Sequence, residues 1–91
     1  MTETRETKIK RLRMRSMRRG IKEMDLILQA YAEAHLEGFS DDALDLYDQL
    51  LSENDHDLYG WVGGQFAVPE HYLDLVTHIA TTAQGVTRPA S

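Results

Sequence analysis

The chain's 91 residues suit one small domain, and its 42% hydrophobic and 27% charged residues suit a folded, soluble protein and exclude full disorder. The absence of cysteine excludes disulfides, thiolate metal sites and thiol nucleophiles, and no apolar run approaches the roughly 18 residues of a membrane span. The net charge of -5 conceals a division: residues 1–22 carry nine Lys/Arg against Glu3 and Glu6, a net of +7, whereas residues 23–91 carry only Arg88 against thirteen acids, a net of -12.

Helix formers dominate from about Thr4 to Met17, where Ile9, Leu12 and Met17 make a thin apolar stripe that predicts a mostly exposed first helix interrupted at Gly20. Ile21, Met24, Ile27, Leu28, Tyr31 and Leu36 recur at helical spacing and define a second helix that stops near Gly38. Ser40 reads as the N-cap of a third, with Asp41 and Asp42 in its first turn and Ala43, Leu44, Tyr47, Leu50 and Leu51 on its buried side. Asn54 or Asp55 can cap a short fourth helix bearing Leu58, Trp61 and Val62, ended by Gly63-Gly64 and followed by a loop through Ala67. Pro69 suits the first turn of a last helix with Tyr72, Leu75, Val76 and Ile79 on one face. After Thr81 the apolar periodicity fades. The expected object is all-α, a single-domain bundle of five short helices over residues 1–81 with a mobile tail at 82–91.

The basic N-terminal limb could engage nucleic acid, an anionic membrane surface or an acidic protein face, or could fold against the acidic helices and neutralise itself. Charge alone leaves both open. Of His35, His56, His71 and His78, no pair has the i,i+4 spacing of a helical metal site, so boundary histidines are expected and no metal. The run Glu53-Asn54-Asp55-His56-Asp57 lacks the glycine and terminal glutamate of a calcium loop and reads as a helix-capping cluster. No serine stands in a nucleophile-elbow context, and no glycine-rich phosphate loop follows a strand. An enzyme is not expected.

One local constellation stands out, Arg18-Arg19-Gly20-Ile21-Lys22-Glu23. Gly20 can turn the chain or admit a close approach, Arg19 offers a planar fork for a carboxylate or carbonyl, and Glu23 lies one helical turn beyond. A partner-docking surface is one reading. The other is a simple helix break with an i,i+4 ion pair worth about 0.2–0.5 kcal/mol.

Arg19-Gly20-x-x-Glu23, within RMRSMRRGIKEMDLIL, resembles the RGxxE signature of the succinate dehydrogenase flavinylation factors, also called FAD assembly factors of succinate dehydrogenase and fumarate reductase. A second block, LLSENDHDLYGWV, is similar to the family in Leu50, Leu51, Asp57, Leu58 and Trp61, so the likeness runs over most of residues 9–80. The sequence departs from the family's pattern at Gly60, inside the fourth helix, and over the last ten residues. The resemblance implies a small assembly chaperone that binds the flavoprotein subunit of succinate dehydrogenase, and of its fumarate reductase relative, and promotes covalent attachment of FAD to a histidine of that subunit. It places Arg19, Gly20 and Glu23 at the client contact with Arg18 and Asp25 beside them. The flanking Leu58 and Val62 favour a core position for Trp61 over an exposed interface aromatic. Substitution of Arg19 or Gly20 is expected to cut covalent flavin on the client while leaving the fold and melting temperature nearly unchanged. No stably bound cofactor, no nucleic acid, no membrane and a monomer are expected. Because the likeness begins almost at Met1, where mitochondrial members carry presequences, a bacterial cytoplasmic protein is expected. The alternative is a basic-helix module that binds nucleic acid or neutralises a toxin.

Overall fold

The computed structural model describes residues 3–87, with side chains through Ala83. Among these residues are five α-helices, two short 3₁₀ turns and no strand: α1 (Arg5–Arg15), α2 (Lys22–His35), α3 (Asp41–Leu51), α4 (Asp55–Val62) and α5 (Leu73–Thr87). The 3₁₀ turns are Leu36–Gly38 and Glu70–Tyr72.

Side-chain caps set three of the helix starts. Thr4 accepts from Thr7 N–H before α1, Ser40 accepts from Ala43 N–H before α3, and Asn54 Oδ1 accepts from His56 N–H at 2.8 Å before α4. Ile21, expected within the second helix, is instead the extended residue before it, packed against the core from outside α2. The apolar stripes then face one another. Met24, Ile27, Leu28, Tyr31 and Ala32 of α2 pack with Leu44, Tyr47, Leu50 and Leu51 of α3, Leu58 of α4 and Leu75, Val76, Ile79 and Ala83 of α5. Ala43 is only half-buried. Pro69 precedes a 3₁₀ turn, and α5 itself begins four residues later. Helix α5 also continues past Thr81 to Thr87, because Ala83 extends the Leu75–Val76–Ile79 stripe by one more turn. Residues 88–91 of the expected tail lie outside the described residues. Across the α2–α5 seam the rings of His35 and His78 lie 4.5 Å apart, and Tyr31 Oη is 2.7 Å from His78 Nδ1. No three His, Asp or Glu side chains converge as a metal site among the described residues, and no helix there is long and apolar enough to cross a membrane.

Helix α1 buries little, only Ile9, Leu12 and the flanking Ser16, whose hydroxyl donates to Leu12 O and accepts from Tyr47 Oη at 2.6 Å. Met17 falls beyond the helix and is exposed, so it does not join the stripe. Charge holds the helix down. Arg5 pairs with Asp41, Lys8 with Asp45, Arg11 with Asp48 at 3.0 Å and Arg15 again with Asp48. The acids recur every three or four residues on α3, so they form one row opposite the basic row of α1. Six of the nine N-terminal cations are consumed in such pairs, counting Arg13 with Glu37 and Arg19 with Asp55. Self-neutralisation is therefore the fate of most of the basic limb.

The departure at Gly60 has a packing cause. Gly60 is buried, and a Cβ there would lie 2.1 Å from the Phe66 ring, which folds back over the helix while Gln65 and Phe66 N–H donate to Gly60 O at 2.8 and 3.1 Å. Trp61 is half-buried, its ring 5.7 Å from that of Tyr72, at the edge of the core. Gly60→Ala should displace Phe66 and lower stability by ~1–2 kcal/mol, read as a fall in Tm and greater protease sensitivity at 63–68.

Hydrogen bonding from Arg11 holds the Asp48 carboxyl below the usual carboxylate range, against its partial desolvation. Because the folded value lies below the unfolded one, the contribution of the Asp48 pairs is complete above about pH 4 and is lost as pH falls further through the folded value. Amide NMR shifts of α1 should accordingly move in acid below about pH 4. Asp48→Asn should show the loosened α1 already at pH 7.

Candidate functional site

The chain turns between α1 and α2 over Ser16–Ile21, and three carboxylate-centred contacts shape this elbow. Arg18 takes the left-handed conformation, φ = 57°, and its N–H donates to Asp25 Oδ1 at 2.9 Å. A non-glycine residue there costs about 1–2 kcal/mol, which the surrounding contacts must overcome. Gly20 N–H donates to Asp55 Oδ2 at 2.6 Å. Arg19 donates to the same carboxylate through Nε at 2.9 Å, with its Nη2 2.8 Å from Asp55 Oδ1.

Arg19 faces inward. Its Nη1 donates to Arg15 O and its Nη2 to Leu51 O, both at 3.0 Å, so one guanidinium joins the C-terminal carbonyls of α1 and α3 to the first residue of α4. Those carbonyls have no intrahelical partners, and the negative ends of two helices favour a cation between them. Only 13% of the Arg19 side chain and 21% of the Asp55 side chain are exposed. The fork expected to await a partner is filled by the protein itself. The i,i+4 pair with Glu23 is not formed; Asp55 takes that place.

Gly20 is needed for an approach and not for its dihedral freedom. A Cβ at this position would lie 2.8 Å from Asp55 Oδ2. The left-handed residue of the elbow is Arg18. Arg18, Gly20, Lys22 and Glu23 are exposed, Asp25 is half-buried, and the apolar Met17 and Leu26 are 39% and 47% exposed beside them. The sequence signature thus divides into an inward part, Arg19 and the amide of Gly20, and an outward part, Arg18 and Glu23. Asp55 was not singled out by sequence reasoning, which took Glu53–Asp57 for capping. Asn54 does cap, while Asp55 reaches back 35 residues to Gly20. A carboxylate at the start of a helix has no local signal for a partner so distant.

Two surface depressions lie along α1. One, of about 650 Å³, is lined by Arg5, Glu6, Ile9, Lys10, Arg13 and Glu37; the other, of about 390 Å³, by Thr7, Lys10, Arg11, Met14 and Arg15. Neither reaches the elbow. Tyr31, Tyr47 and Tyr72 stay protonated phenols, burial pushing Tyr47 and Tyr72 up to about 12 and Tyr31 higher still.

These features define a small helical module organised about a carboxylate-held elbow. A family model described as flavinator of succinate dehydrogenase matches residues 10–83, and the chain belongs to that family. Among its relatives is the mitochondrial succinate dehydrogenase assembly factor 2 of Meyerozyma guilliermondii, 48% identical over 75 residues, covering 79% of this chain and 56% of the relative. Assembly factor 2-A of Drosophila yakuba is 37% identical over 89 residues, covering 91% and 55%. That of Schizosaccharomyces pombe is 39% identical over 70 residues, covering 77% and 50%. The chain spans about half the length of these relatives. All three are named as mitochondrial, which overturns the expected bacterial cytoplasmic location. That expectation leaned on where the sequence begins, which says nothing of address.

The expected indifference of folding to Arg19 and Gly20 is also corrected, since both are tied into the junction of three helices. Asp55→Asn should cost ~2 kcal/mol through the loss of charge-assisted bonds, and Gly20→Ala ~1–2 kcal/mol through the forced shift of Asp55. Denaturant melts of both variants should show reduced midpoints with unchanged m-values.

Proposed function

We propose that the protein is an assembly factor that binds the flavoprotein subunit of succinate dehydrogenase and promotes covalent attachment of FAD to it. The observation that carries this reading is the family match over residues 10–83, joined to an elbow at Arg18–Asp25 whose outer face is not consumed by packing. The fumarate-reducing relative of that enzyme is a second client of the same kind. The elbow residues Arg18, Arg19, Gly20, Glu23 and Asp25 form the docking region, some by contact and some by holding its shape.

The factor acts without catalytic groups of its own and as a monomer, one copy to one client. FAD remains the client's cofactor. Both depressions are shallow features of α1 in which Arg5, Arg11, Arg13, Arg15 and Glu37 are engaged in ion pairs, which supports a role at the client's surface. Holding an FAD-loaded, immature subunit so that its histidine meets the flavin would supply orientation, and aligned intramolecular reactions gain as much as about 7–11 kcal/mol. Release follows when the mature subunit presents a less complementary face. The alternative of a nucleic-acid-binding or toxin-neutralising module has no support in the comparisons, and six of its nine cations are spent within the fold.

Co-expression with a succinate dehydrogenase flavoprotein subunit tests the reading. Covalent flavin, read as in-gel fluorescence of the denatured subunit, should rise several-fold with the factor present. Equal fluorescence with and without the chain would refute it.

A further inference from the structure

We infer that Arg18, and not the signature arginine Arg19, supplies the guanidinium that meets the client, and that its target is a carboxylate set among apolar side chains on the flavoprotein subunit. This inference rests on the proposed function and assigns roles within its docking surface.

Arginines 18 and 19 are adjacent in sequence and opposite in placement. Arg19 has its Nε, Nη1 and Nη2 committed to Asp55, Arg15 O and Leu51 O. Presenting that guanidinium to a partner would leave Asp55 and two helix-terminal carbonyls without it. Arg18 is exposed, and its guanidinium has no hydrogen-bond or ion-pair partner among the described residues. All four arginines from Arg5 to Arg15 and Arg19 have found internal carboxylates, so among the arginines of the basic limb Arg18 alone keeps an unpaired guanidinium among the described residues.

The backbone at Arg18 is also unusual. It is the sole non-glycine residue with positive φ among those described, and Asp25 holds its amide. Glycine or asparagine suits such a position better than a long side chain. A strained residue with a free charge, anchored by a carboxylate from the next helix, is what a preorganised contact requires. Met17 precedes Arg18 in the chain and Leu26 follows Asp25, whose carboxylate holds the Arg18 amide, and both are exposed apolar side chains. An arginine fork among apolar neighbours matches a planar carboxylate ringed by apolar groups, where the pair is shielded from water. Asp25 and Asp55 are positioning residues in this scheme.

Binding to the purified flavoprotein subunit, measured by calorimetry beside the melting temperature, separates the two arginines. Arg18→Gly should melt no lower than the parent chain, since glycine relieves the left-handed backbone, yet bind at least tenfold more weakly. Arg18→Lys should bind several-fold more weakly because it keeps the charge and loses the fork. Arg19→Lys should lower the melting temperature. The advantage of the parent over Arg18→Gly should shrink in 1 M salt. Parent-like affinity in Arg18→Gly would overturn the assignment and leave the proposed function standing. Absence of binding by the parent chain would overturn both.

Discussion

The carboxylate of Asp55 is the point on which the arrangement of this protein turns. It receives the Gly20 amide at 2.6 Å and the Arg19 guanidinium at 2.9 Å, and through Arg19 it is linked to the last carbonyls of α1 and α3. Three helix ends that would each need a separate partner share one ion pair. A helix terminus excluded from water without such a partner is costly. The elbow between α1 and α2 therefore has a defined shape in a chain whose core supplies only Ile9 and Leu12 from α1.

The remainder of α1 is held by long-range charge pairing. Its basic row meets the acidic row of α3, and each exposed pair contributes modestly, typically 0.2–1 kcal/mol. Together with the Ser16–Tyr47 hydrogen bond they dock a helix with a thin apolar stripe. The large opposite charges of the two parts of the sequence are thus mostly an internal matter. What remains outward at the elbow is a smaller and more specific feature, one free guanidinium beside a free carboxylate and two apolar side chains.

This division gives physical sense to a short signature. Arg19 and Gly20 need to be arginine and glycine because of what lies inside, a carboxylate too near for a Cβ and a set of acceptors matched to a fork. The side chains of Glu23 and Arg18 are exposed and have no ion-pair partner among the described residues. Under the proposed function, a substitution in the inner pair would act on a client through the shape of the elbow, and one in the outer pair by direct contact. Measuring stability together with binding tells the two apart.

The sequence by itself determined the five helices, the cap at Ser40, the choice of Asn54 or Asp55 for the next and nearly all of the core, because apolar periodicity and capping are properties of residues close in the chain. It also pointed to the elbow and to the family. Tertiary structure alone decided which charges pair, since Arg19 and Asp55 are 36 residues apart and nothing in their neighbourhoods marks them as partners. It decided that Phe66 needs the bare Cα of Gly60, and that Ala83 carries α5 beyond the apparent end of its stripe. Local pattern specifies which face of a helix is apolar; only the packed bundle specifies which acid stands opposite which base.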